Sequence, residues 1–81
     1  MTEWRRYDGM ESLSTQVAAN VRAEMARQRK RQADLGEVLG LTQGAVSKRM
    51  SGTVALDVDE VGKIASFLGV PVSALLEGVA A

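Results

Sequence analysis

The sequence predicts an all-α fold, a compact domain of five short helices. Three observations carry this. Apolar residues recur at helical spacing: Leu13, Val17, Val21 and Met25 come every four residues, and Val58, Val61, Ile64, Ala65 and Leu68 form a second stripe. Gly40 and Gly69 each follow an apolar stripe, where a helix C-terminus commonly needs a residue free to take positive φ. Ala, Leu and Val dominate, and the single proline, Pro71, lies late in the chain.

The elements follow in order. Residues 1–10 read as an N-terminal arm. Asp8 and Glu11 have the spacing of a capping box, and Ser12 or Ser14 offers a later cap, so helix one is expected from about Glu11 to Gln28. Trp4, Arg5, Arg6 and Tyr7 precede it. They suit an arm on phosphates, an apolar flap against the core or a second copy, or a frayed terminus; two aromatics favour the flap. Helix two spans about Gln32 to Leu39, with Leu35, Val38 and Leu39 as its buried stripe. Helix three spans about Thr42 to Ser51. The Thr42 hydroxyl caps it, and Val46 and Met50, four apart, face inward.

After a loop over residues 52–56, Asp57 caps helix four and Glu60 completes a capping box. Gly62 in mid-helix costs about 1 kcal/mol relative to Ala, so a close helix contact is expected there. Pro71 opens a short helix five bearing Val72, Leu75 and Leu76, ending near Gly78. The folded domain is therefore expected over 11–78, with 79–81 as a tail.

Composition narrows the function. Eighty-one residues make one domain, near the lower limit for a self-sufficient core. A domain so small often gains core by dimerising. It is expected to leave no room for a second effector or cleavage domain. Without Cys or His there is no thiol chemistry and no imidazole base or ligand. Asp57, Asp59 and Glu60 suit the first turn of a helix better than a calcium loop, which needs more oxygen ligands at alternating positions. No metal, cofactor or enzymatic activity is expected. No apolar run approaches a membrane span and the N-terminus lacks a signal-peptide core, so a cytoplasmic location is expected.

Net charge is zero but unevenly spread. Residues 20–52 hold seven bases (Arg22, Arg27, Arg29, Lys30, Arg31, Lys48, Arg49) against three acids, a local +4 that the remainder balances with −4. Dipole compensation at the end of helix one accounts for one or two of Arg27, Arg29, Lys30 and Arg31, not four. The cluster is a candidate phosphate contact.

The stretch QADLGEVLGLTQGAVSKRMSG, Gln32 to Gly52, organises the rest. With Val46 and Met50 inward, Gln43, Gly44, Ser47 and Lys48 share an outward face and Ser51 closes its far end. Gln bonds an adenine edge at two points, Lys reaches guanine or phosphate, and Ser bonds most partners. Such a face suits a DNA groove.

This stretch resembles the helix-turn-helix of the Cro/repressor family, also called XRE-type or lambda-repressor-like. Six positions match in register: Gln32 at the first, Gly36 at the fifth where two helices cross closely, Gly40 at the ninth, Gln43 at the twelfth, Val46 at the fifteenth, and Gly52 just past the recognition helix. FLGVPVSALLEG resembles the family's closing segment. Three positions depart. Arg49 occupies a usually apolar site, which leaves packing to Met50 and the Arg49 stem along the surface. Arg31 stands where a Ser or Thr cap is usual, and Arg29 where a turn glycine is common.

The resemblance implies a five-helix fold that binds double-stranded DNA and regulates transcription, as a repressor of phage or plasmid type. It implies base reading by Gln43, Gly44, Ser47 and Lys48, with Gln43 at an A·T pair. Gln32 would touch a phosphate and brace Gln43. Thr42 and Ser51 would reach phosphates through hydroxyls, and Arg22, Arg27, Arg29, Lys30, Arg31 and Arg49 would supply charge rather than sequence. Arg49 equally suits a pair with a local acid such as Glu37. A homodimer is expected, through Leu75, Leu76 and Val79 or through Trp4 and Tyr7. The alternative is an antitoxin or adaptor whose main partner is another protein.

Overall fold

A computed structural model describes the backbone of residues 2–78 and the side chains of residues 13–78. It contains α1 (Thr2–Gln28), α2 (Gln32–Leu39), α3 (Gln43–Met50), α4 (Val58–Leu68) and α5 (Val72–Leu75), with no strand among the described residues. α1 packs on α3, α4 and α5, while α2 packs on α3 and α4. The core draws on every helix: Val17, Val21 and Met25, then Leu35, then Val46 and Met50, then Ile64, Ala65 and Leu68, and finally Leu75. Leu35, Ile64 and Leu75 are all but inaccessible, each contributing about 1.5–3 kcal/mol by leaving water.

Helix ends follow local chemistry. Thr42 Oγ1 accepts from the Ala45 N–H at 3.2 Å. Asp57 Oδ1 accepts from Glu60 N–H at 2.7 Å while Glu60 Oε1 accepts from Asp57 N–H at 3.0 Å, the reciprocal pair the spacing predicts. At α2 the cap residue Arg31 has no acceptor to offer. Asp34 compensates by reaching back to the Arg31 N–H at 3.3 Å and to its guanidinium at 3.4 Å. Gly40 ends α2 at φ 66.

α1 closes differently. Arg29, where the family commonly has glycine, takes φ 56, the one positive φ outside glycine among the described residues. Its N–H donates to Ala26 O at 3.2 Å and that of Lys30 to Met25 O at 2.9 Å, a Schellman closure made without its usual residue.

Polar side chains of α1 then terminate three other helices. Arg22 donates to the carbonyl of Met50, the last residue of α3. Gln28 Nε2 donates at 2.8 Å to that of Leu68, the last of α4. Asn20 Nδ2 donates at 2.9 Å to that of Leu75, the last of α5, and at 2.7 Å to Glu77 O. Gln16 donates to Asn20 Oδ1 at 3.1 Å, which sets the Asn20 amide orientation.

Several expectations are corrected. α1 begins at Thr2, not near Glu11, so the capping signals at Asp8, Ser12 and Ser14 lie inside it. Val38 is exposed, and Gly36 takes its place beside Leu35 in the buried face of α2. Val58 is 87% exposed because α4 turns its first residue outward. A Cβ built on Gly62 meets nothing within 4 Å, so none of the described residues makes the close contact expected there. Pro71 caps α5 instead of opening it. Leu75, expected on a dimer surface, is 1% exposed and belongs to the core. The Trp4 and Tyr7 side chains and Val79 lie outside the described residues.

Candidate nucleic-acid interface

α2 and α3 meet where the sequence lets backbones approach. A Cβ on Gly36 would stand 3.0 Å from the Leu41 carbonyl oxygen and 3.5 Å from Val46 Cγ2. The Leu41 N–H returns to Gly36 O at 2.9 Å, which closes the turn between the two helices. One side of α3 is then committed to the core through Val46 and Met50.

The opposite side stays open. Gln43, Gly44, Ser47 and Lys48 are all exposed. Among the described residues the side chains of Gln43, Ser47 and Lys48 have no hydrogen-bond or ionic partner. A Cβ on Gly44 would meet nothing within 4 Å, so no contact of the fold requires glycine there. Gln32 is likewise exposed and unpartnered. It lines one shallow hollow with Thr42 and Gln43, although no hydrogen bond joins the two glutamines. A second hollow brings Arg22, Gln32, Ser47 and Ser51 to one place beside Met50. Four residues expected at DNA, drawn from α1, α2, the middle of α3 and its C-cap, thus converge.

Other chosen residues are partly occupied at home. The Ser51 hydroxyl bonds Lys48 O at 3.0 Å and Thr53 Oγ1 at 2.9 Å. Arg27 pairs with Glu24 at 2.7 Å, and this hydrogen bond first of all holds the Glu24 carboxyl below the ordinary glutamate range and raises the Arg27 guanidinium. Arg31 pairs with Asp34. Lys30 sets its ammonium 5.0 Å from the Phe67 ring centre, a cation–π contact. Arg29 is exposed and has no partner among the described residues.

Arg49 points elsewhere. Its Nε donates to Glu60 Oε2 at 3.0 Å and its Nη1 to Ala45 O at 3.1 Å, with the two ionic side chains only 19% and 15% exposed. The acid it selects is Glu60, not Glu37. Sequence reasoning did not single out Asn20, Gln28 or Glu60 as ties between elements. Their bonds cross 55, 40 and 11 residues of chain, beyond any local signal.

A family model described as helix-turn-helix matches residues 21–75. The chain belongs to the Cro/repressor (XRE-type) helix-turn-helix family. The family is one of DNA-binding transcription regulators, and the chain is a DNA-binding protein of this class. The match runs from Val21 in the last third of α1 to Leu75 at the end of α5, so it takes in every residue of the core cluster except Val17. No curated protein and no solved structure matches the chain. Among the described residues no helix is long and apolar enough to cross a membrane.

Proposed function

We propose that this chain is a sequence-specific repressor of phage or plasmid type, acting in a bacterial cytoplasm. It binds a pseudo-palindromic operator as a homodimer, with α3 of each copy in the major groove. The observation that supports this is the division of α3. Val46 and Met50 anchor one side in the core, while Gln43, Ser47 and Lys48 stand on the other, exposed and unpartnered. Polar groups that bond nothing among the described residues can bond base edges without first breaking a contact among those residues.

In this reading Gln43 reads an A·T pair, Ser47 and Lys48 read its neighbours, and Gly44 leaves room for a thymine methyl or close backbone approach. Gln32, Arg22, Thr42 and Ser51 surround phosphates, with Arg29, Lys30, Arg27 and Arg31 supplying charge along the backbone. Arg49 is given a positioning role through Glu60 instead of a phosphate.

Selection of DNA sites from a random pool, with salt titration of the winners, tests the proposal. The expected product is two half-sites about 10 base pairs apart. A pool without enrichment, with weak salt-sensitive binding to every sequence, would overturn it and favour a protein partner.

A further inference from the structure

Away from the recognition face, the first half of α4 borders an apolar groove. Leu13, Val17, Leu56, Val61, Val72 and Leu76 form its walls, and none of them belongs to the candidate DNA interface. Two features of α4 have no explanation among the described residues. Val58 lies on this groove 87% exposed. Gly62, one turn on and on the same face, meets nothing a Cβ would disturb, yet glycine in mid-helix costs about 1 kcal/mol relative to Ala. Beside that stripe stand Asp59 and Lys63, also one turn apart, both exposed and neither bonded to any group among the described residues.

We infer that the groove is the surface on which a second copy of this chain docks, with α4 crossing its symmetry mate in antiparallel sense beside Val61 and Gly62. The inference rests on the homodimer reading and names its surface. An isologous contact must be self-complementary, and this one is. Antiparallel crossing sets Val61 of each copy against Gly62 of the other, where the missing Cβ lets the helices approach. Val58 of each copy then covers apolar surface of the other. Positions on one flank of an antiparallel pair meet their own kind, so Asp59 of each copy comes within reach of Lys63 of the other. One bridge becomes two, with opposite charges matched. Leu76 and Val72, each nearly half exposed on α5, flank the contact.

The test is sedimentation of the full chain, with circular dichroism to follow the fold. Gly62→Leu fills the crossing point, while its Cβ meets nothing within 4 Å among the described residues, so helicity should hold while the dimer dissociation constant rises at least tenfold. Asp59→Lys and Lys63→Asp should each weaken the dimer, and the double exchange should restore it. A dimer indifferent to Gly62→Leu and to both charge changes would overturn this surface and leave the homodimer reading intact. A wild-type chain that stays monomeric, free and on selected DNA, would overturn both.

Discussion

Arg49 on α3 and Glu60 on α4 meet at 3.0 Å, and the same carboxylate caps its own helix through the Asp57 N–H. One acidic side chain thus fixes the start of α4 and ties it to the recognition helix. Hydrogen bonds to charged groups contribute about 1.5–3 kcal/mol when largely shielded. Arg49→Ala should therefore lower stability by about 1–3 kcal/mol in urea unfolding. The slope of DNA affinity against salt should stay unchanged. A slope shallower by about one unit would return Arg49 to the phosphates.

Gln43→Ala should cost about 1–3 kcal/mol of discrimination at one base pair of the selected site and little elsewhere. Competition between the site and its single-base variants measures this. Losses spread evenly over all variants would remove Gln43 from base reading.

Arg29 holds φ 56, a conformation that costs a residue with a Cβ about 1–2 kcal/mol. Its side chain has no partner among the described residues that glycine would forfeit. Arg29→Gly should raise stability by about 1 kcal/mol and weaken DNA binding without changing sequence preference. Thermal melting and the salt titration read the two effects separately.

Gly36 is crowded where Gly62 is open. A Cβ at Gly36 would press on the Leu41 carbonyl oxygen at 3.0 Å, and the N–H of that same Leu41 closes the interhelical turn on Gly36 O. Gly36→Leu should destabilise the fold by about 1–3 kcal/mol through overpacking and misplace α3. Unchanged melting with full DNA affinity would contradict the close crossing of α2 and α3.

Acid should loosen the start of α2. The Asp34 carboxyl is held below the ordinary aspartate range, first by the Arg31 side chain and then by the Arg31 N–H. A depressed folded value means that the contribution is present at neutral pH and fades as pH falls through the carboxylate range. Asp34→Asn should flatten part of the acid limb of a melting-temperature curve and leave it unchanged in shape above that range. An acid limb identical in both proteins would show that the linkage lies elsewhere.

What was legible in the sequence was local. Thr42, Asp57 with Glu60, and Gly40 announce helix ends because the groups they satisfy lie within four residues. The Gly36 crossing was legible from its place in the motif. The start of α1 was not, since Asp8 and Ser12 are tolerated inside a helix as well as before one. Val58 misled because periodicity gives a stripe but not the crossing direction that decides which edge is covered. Arg49 was readable only as a departure. Its partner eleven residues away depends on how α4 returns past α3.

The bonds from Arg22, Gln28 and Asn20 to the last carbonyls of α3, α4 and α5 have a consequence for portability. A helix-turn-helix cut out as residues 32–52 would lose the donor that closes its second helix, together with the wall against which Val46 and Met50 sit. The DNA-reading segment is thus not a cassette that can be grafted. Its transferable unit includes the back half of α1, and a chimaera that exchanges specificity should carry Asn20 to Gln28 along with it.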